Sequence, residues 1–249
     1  MPYVAVSALS HPGLLRDRNE DSLVIGPWTL CATVTENPQT LVLPLGTPHV
    51  VAVADGLGGH PGGEVASALV VRRLAAIGPA LSSEDAVRDA LQDCNRAVYE
   101  AAGAVDGSEL ATMGTTVAGV VVQPGSLLAF NVGDSRVFAA SGEGLRQVSV
   151  DDSPPLEPGR RTTSLVTQCL GGSPGYRAIH PHVTAASLSP GDRYLVCTDG
   201  LTDPLTTDVL DEVMREHDDG RAVFELWKAA ITAGGPDNIT LAVVRVGDE

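Results

Sequence analysis

Cysteine is scarce in this chain. Cys31, Cys94, Cys169 and Cys197 are its only four in 249 residues, and no two stand as a CxxC pair. Neither a disulfide framework nor a structural zinc knot can be built from them, so they are expected to be reduced thiols of the core. Positive charge is scarce too: 16 Lys and Arg against 31 Asp and Glu leave a formal charge of −15 and a pI near 4.6. Such a surface repels polyanions over the range at which electrostatic steering acts. That argues against nucleic acid and anionic membranes, and for a cationic partner or ion. Long apolar runs are missing. None approaches the ~18–20 residues of a membrane span, and Met1-Pro2-Tyr3-Val4 has no basic segment leading into an apolar one. No membrane insertion and a cytoplasmic location are therefore expected. No internal repeat or linker is present, and 43% hydrophobic residues suffice for one substantial core, so a single domain over residues 1–249 is expected.

What is present is organised around Val50-Val51-Ala52-Val53-Ala54-Asp55-Gly56-Leu57-Gly58-Gly59-His60-Pro61-Gly62-Gly63-Glu64. A β-branched apolar run reads as a buried strand, and it ends abruptly on a carboxylate followed by glycines. Those glycines let backbone carbonyls and amides approach a ligand. The same corner recurs at Asn131-Val132-Gly133-Asp134 and at Leu195-Val196-Cys197-Thr198-Asp199-Gly200, and Pro236-Asp237-Asn238 precedes another strand.

Elsewhere, Tyr3 to Leu9 and Leu23 to Ile25 read as strands around the charged stretch Arg16 to Ser22. Thr29 to Val34 and Thr40 to Leu43 read as an extended hairpin. A helix runs from Glu64 towards Gly78. A second is capped by Ser82 or Ser83, and Val87, Leu91, Cys94, Val98 and Ala101 form its apolar stripe, which makes Cys94 a core residue. Gly114 to Val122, Ser126 to Val132, Arg136 to Ala140 and Leu145 to Val150 read as an antiparallel meander. Asp151 to Thr163 reads as a surface loop. Thr207 to His217 and Arg221 to Ala233 read as helices, and Ile239 to Val246 as the closing strand.

One Asp-Gly after a strand is ordinary turn chemistry. Four aspartates at strand ends are a different matter, because clustered carboxylates repel unless a cation neutralises them. Oxygen-rich sites of this kind suit magnesium or manganese. Zinc is disfavoured, since the six histidines are scattered and His180-Pro181-His182 reads as a strand-edge feature.

Taken in order, Arg16-Asp17-Arg18-Asn19-Glu20-Asp21-Ser22, Val53-Ala54-Asp55-Gly56-Leu57-Gly58-Gly59-His60, Gly114-Thr115-Thr116, Val132-Gly133-Asp134-Ser135-Arg136, Cys197-Thr198-Asp199-Gly200 and Asp237-Asn238-Ile239-Thr240 resemble the motif set of the metal-dependent protein phosphatases, the protein phosphatase 2C family in its bacterial form. The resemblance runs from about Val4 to Val246. It implies an α+β fold, a four-layer α/β/β/α sandwich of two antiparallel sheets flanked by helices, with two Mn2+ or Mg2+ ions at one end. It implies that Asp55 bridges both metals, that Gly56 contributes its carbonyl, and that Asp199 and Asp237 complete the set. Asp134 with Asp199 would form a third-metal site, while Glu20 and Asp21, with Asn238 alongside, would lie in the outer shell. Arg16 would hold the substrate phosphate through its planar fork.

The implied activity is hydrolysis of phosphoserine and phosphothreonine on proteins by a hydroxide bridging two divalent cations, opposing a Ser/Thr kinase. The chain departs from eukaryotic members where they carry histidine two residues after the bridging aspartate, because Leu57 stands there. His60 is the nearby candidate proton donor, and a structural place in the glycine turn is its alternative reading. Val150 to Ser164, matching the family's flap, is short and proline-rich, and Gly26 to Pro48 is longer than the usual hairpin. The rival readings are a catalytically silent binding domain of the same fold and a hydrolase of small phosphoesters.

Overall fold

The computed structural model describes residues 2–57, 61–103, 112–155, 162–163 and 165–248. Its strands are β1 (Tyr3–His11), β2 (Ser22–Ile25), β3 (Trp28–Cys31), β4 (Gln39–Pro44), β5 (His49–Ala54), β6 (Gly56–Leu57), β7 (Gly114–Thr115), β8 (Val117–Gln123), β9 (Ser126–Val132), β10 (Arg136–Ser141), β11 (Gly144–Gln147), β12 (Leu170–Gly171), β13 (His182–Ser187), β14 (Arg193–Cys197) and β15 (Ile239–Gly247). The helices are α1 (Pro61–Ile77), α2 (Glu84–Gly103), α3 (Asp199–Thr202), α4 (Thr207–Glu216) and α5 (Asp219–Thr232). One six-stranded sheet has the order β11-β10-β14-β15-β1-β4, and the other β13-β9-β8-β5-β2-β3. A small third sheet, β12-β7-β6, lies beside them.

The near-continuous apolar strands are explained by burial on both faces. In β5, Val51 and Val53 point into the core between the sheets, while Val50, Ala52 and Ala54 point towards α1 and α2. In β15, Ala242, Val244 and Val246 face the same inter-sheet core, and Leu241 and Val243 face α4 and α5. Side chains alternate across a strand, so a strand covered on both sides must be apolar at every position. The layers are helix, sheet, sheet, helix, as the motifs implied. Caps set the helix starts: Ser83 Oγ accepts from Ala86 N at 3.2 Å and Asp218 Oδ1 from Arg221 N at 2.9 Å. Cys94 is fully buried in the core beneath α2.

Three expectations need correction. The segment 26–48 is no hairpin: β3 pairs with β2 in one sheet, whereas β4 pairs with β1 in the other, from Tyr3↔Pro44 to Ala8↔Gln39. The run 114–150 is no single meander either. β8 and β9 form a hairpin in one sheet, β10 and β11 form one in the other, and the chain crosses between the sheets at Gly133-Asp134-Ser135. Finally, the Asp199-Gly200 corner is the first turn of α3. The crossing matters most, because it sets Asp134 at the end of the sandwich.

Candidate active site

Antiparallel pairing gathers distant residues at one end of the sheets. His11 at the end of β1 pairs with Ile239 at the start of β15, Cys197 at the end of β14 pairs with Arg136 and Leu241, and Ser22 pairs with Ala54. Every carboxylate corner therefore opens on one cleft of about 430 Å³. Asp55, Gly56, Asp134, Asp199 and Asp237 line it, together with Arg16, Glu20 and Asn238. Asp21 is fully buried and does not line the cleft; Thr198 Oγ1 donates to its Oδ2 at 2.9 Å. His60 lies outside the described residues.

Hydrogen bonds fix the corners. The carbonyl of Asp55 accepts from Thr116 N at 2.9 Å and Thr115 Oγ1 at 2.8 Å, and its N–H donates to Thr116 Oγ1 at 3.2 Å. Gly56 lies against Gly63 so closely that a Cβ on Gly56 would stand 2.5 Å from the Gly63 carbonyl, which keeps side chains away from the Gly56 backbone. Asn238 ties the 12–20 segment to β15: its Nδ2 donates to Pro12 O at 3.0 Å and Arg18 O at 2.8 Å, and its Oδ1 accepts from Glu20 N at 2.7 Å. Arg16 Nη2 donates to Asp237 Oδ2 at 2.7 Å.

The contact between α3 and the Asp237 loop is equally tight, since a Cβ on Gly200 would overlap the carbonyl oxygen of Asn238. Backbone on both sides leaves nothing flexible to yield. Gly200→Ala is expected to lower unfolding stability by about 1–3 kcal/mol. Urea unfolding followed by circular dichroism measures this, and an unchanged midpoint would refute it.

Burial and mutual repulsion raise the carboxyl pKa values across the site. Asp55 lies well above the usual range, from burial first and then from the charges of Asp21, Asp199 and Asp237. Burial, against the opposing bonds from Thr240 and Thr198, pushes Asp21 up to about 8. Asp199 is raised by burial and then by Asp237. Asp134 stands at about 7, from burial and then the charge of Asp199. Among the described residues, the buried carboxylate oxygens Asp21 Oδ1 and Asp199 Oδ1 find no hydrogen-bond partner. Such a cluster is unfavourable in isolation, and a cation among the acids removes the penalty.

The donor set fits a divalent ion of the magnesium or manganese type. Among the described residues no group of three His, Cys, Asp or Glu side chains could hold an ion alone. Magnesium and manganese tolerate this, for they use few carboxylates and complete their shells with carbonyls and water. The Gly56 carbonyl beside Asp55 could supply such a donor.

A family model described as protein phosphatase 2C matches residues 44–229. The chain belongs to the protein phosphatase 2C family. It is 30% identical to the serine/threonine protein phosphatase PstP of Mycobacterium tuberculosis H37Rv over 97% of its own length, and it spans 45% of that relative. With the serine/threonine phosphatase stp of Listeria monocytogenes it shares 29% identity over 79% of the chain and 84% of the relative. The crystal structure of the catalytic domain of PstP in complex with two manganese ions superposes with a TM-score of 0.79 at 28% identity, covering 100% of both chains.

Two acids beside the cleft of this protein phosphatase 2C family member, Asp203 and Asp151, were not singled out in the sequence. Asp203, whose N–H donates to Asp199 O at 2.7 Å, lines a smaller cavity with Asp134, Asp199 and Asp151. Burial and then the Asp199 charge raise it to about 7. Its signal was the i, i+4 spacing from Asp199, which has meaning only if the corner is read as helix. Arg136 is held beside it by Asp151, with Nε and Nη2 donating to Oδ2 at 2.9 and 2.7 Å.

Proposed function

We propose that this chain is a metal-dependent phosphatase acting on phosphoserine and phosphothreonine in proteins, opposing a Ser/Thr kinase. The observation that carries the reading is the convergence of Asp55, Asp199 and Asp237 on one cleft with Arg16 beside them. Asp55, the Gly56 carbonyl, Asp199 and Asp237 would hold two Mn2+ or Mg2+ ions, and Asp134 with Asp199 a third. When bound, the ions supply an activated water for attack on phosphorus and neutralise charge on the phosphoryl oxygens.

The chain's own groups do the rest. Arg16 presents a planar donor fork at the cleft, half-exposed and already oriented by Asp237, and would hold two phosphate oxygens at once. Glu20, which lines the cleft, would orient water there, and Asp21 would act from behind the lining, with Asn238 fixing the segment that carries both. His60 would give the leaving oxygen its proton. The apolar sheets behind the cleft exclude bulk water from its floor, which strengthens every charge interaction within it.

The decisive experiment assays a phosphothreonine peptide with manganese, with chelator, and in Asp55→Asn. Hydrolysis that needs manganese and is lost in the variant is expected. Activity surviving the chelator would refute the metal reading, while full activity in the variant would show the ligands to be misassigned. A silent binding domain would cleave neither peptide nor p-nitrophenyl phosphate, and a small-ester hydrolase would cleave only the latter. Arg16→Lys tests the fork: lysine keeps the charge and loses the paired donors, so kcat/KM is expected to fall roughly 10- to 100-fold. Steady-state kinetics showing less than a two-fold change would remove Arg16 from phosphate binding.

A further inference from the structure

The mouth of the cleft is not uniformly charged. Leu15, Leu57 and Val166 line it beside the acids and Arg16. Leu15 is 73% exposed, and Leu165, the chain neighbour of Val166, is 66% exposed. Single exposed leucines are common on protein surfaces. Leu15 differs in being held there by a segment pinned on both sides. Leu14 N donates to Gly235 O at 2.8 Å, and Gly13 sits hard against the Asp237 carbonyl. Arg16 is bonded to Asp237, and the carbonyls of Pro12 and Arg18 are both held by Asn238. The neighbours take the fixed contacts and leave Leu15 presented at the lip.

We infer that the cleft selects phosphorylated segments carrying a large apolar side chain beside the phosphoserine or phosphothreonine, with Leu15 as the specificity-determining contact. This rests on the phosphatase reading. Leu15 adjoins Arg16, the residue placed on the phosphate. An extended substrate advances only ~3.3–3.6 Å per residue, so the side chain that meets Leu15 belongs to a position one or two places from the phosphorylated one. Leu57 and Val166 come from separate segments and line the same cleft, so an apolar side chain entering there is covered from more than one direction. A polar side chain in the same place would give up water without a partner.

The test uses phosphothreonine peptides of one polar host sequence, with leucine or serine placed in turn at each of the two positions on either side. With manganese, at least one leucine peptide is expected to show a kcat/KM roughly ten-fold above its serine counterpart, expressed in KM. Leu15→Ser is expected to reduce that preference below two-fold, and Leu15→Met to retain it. Val42→Thr, which removes an exposed apolar side chain from the distant edge strand β4, should leave the preference intact. Equal rates on leucine and serine peptides, or a preference that persists in Leu15→Ser, would overturn the inference alone. Failure to hydrolyse both the peptides and p-nitrophenyl phosphate would overturn the phosphatase reading and this inference with it.

Discussion

Asp199→Asn is expected to abolish hydrolysis while making the metal-free protein more stable. Asp199, like Asp134, lines both the main cleft and the smaller cavity that Asp203 also lines. Its charge raises the pKa of Asp55, Asp134 and Asp203 alike. Asparagine keeps the shape and removes that charge, so repulsion among the remaining acids falls. The amide also gains a donor that can reach Asp55, with which Asp199 already stands within hydrogen-bonding reach. A gain of about 1–2 kcal/mol in metal-free unfolding stability is expected. The same change would weaken the proposed metal set, and losing several kcal/mol of transition-state charge stabilisation corresponds to a fall in kcat on the order of 10³. Paired measurements decide it: urea unfolding in chelator and phosphopeptide turnover in manganese. A variant that was both active and less stable would show that Asp199 is a structural acid.

That opposition between stability and activity explains why the corners were legible in the sequence. Acids after Ala54 and Cys197, or before Ile239, break strongly apolar strands at a place where packing alone favours no charge. Evidence of chemistry shows most clearly where local rules are violated without a local gain. The burial of β5 was legible too, because its run was apolar at successive positions and short.

What stayed hidden depended on long-range pairing. Thr29 to Cys31 and Thr40 to Leu43 look alike as isolated strands, and only the partners β2 and β1 decide that they join opposite sheets. The crossing at Gly133-Asp134-Ser135 resembles a hairpin turn in sequence, although Gly133 takes φ +102° to send the chain to the other sheet. β13 gave little signal, for its outer residues Thr184 to Ser187 are exposed along an edge and needed no apolar pattern. Asp203 was missed because Asp199-Gly200 carries ordinary turn chemistry, and reading a turn there conceals the helical spacing that brings the second acid to the cavity.

The raised carboxyl pKa values set the pH dependence, and the sign follows from proton counting. An unfolded aspartate titrates near ~3.9, whereas Asp134 and Asp203 stand at about 7 and Asp21 at about 8 in the fold. Between those limits the folded metal-free protein binds more protons than the unfolded chain, so unfolding stability falls as pH rises. The contribution of these groups is complete near pH 4, is lost progressively to about pH 8, and is flat above it. Each group contributes a slope of up to about 1.4 kcal/mol per pH unit within its own window. Manganese held by Asp134 would compete with its proton, and the cation's charge would favour the ionised forms of Asp203 and Asp21 nearby, so its binding is expected to strengthen over the same range. At a fixed manganese concentration near 100 times the Kd at pH 8, stabilisation of about 2.7 kcal/mol is expected there, and almost none at pH 5. Thermal melts across pH 5 to 8, with manganese and with chelator, measure both limbs. The chelated protein should lose Tm as pH rises while the manganese-induced shift grows, and Asp134→Asn should flatten both trends. A manganese-induced shift of constant size across that range would show that the metal does not bind at Asp134 or close to the other two acids.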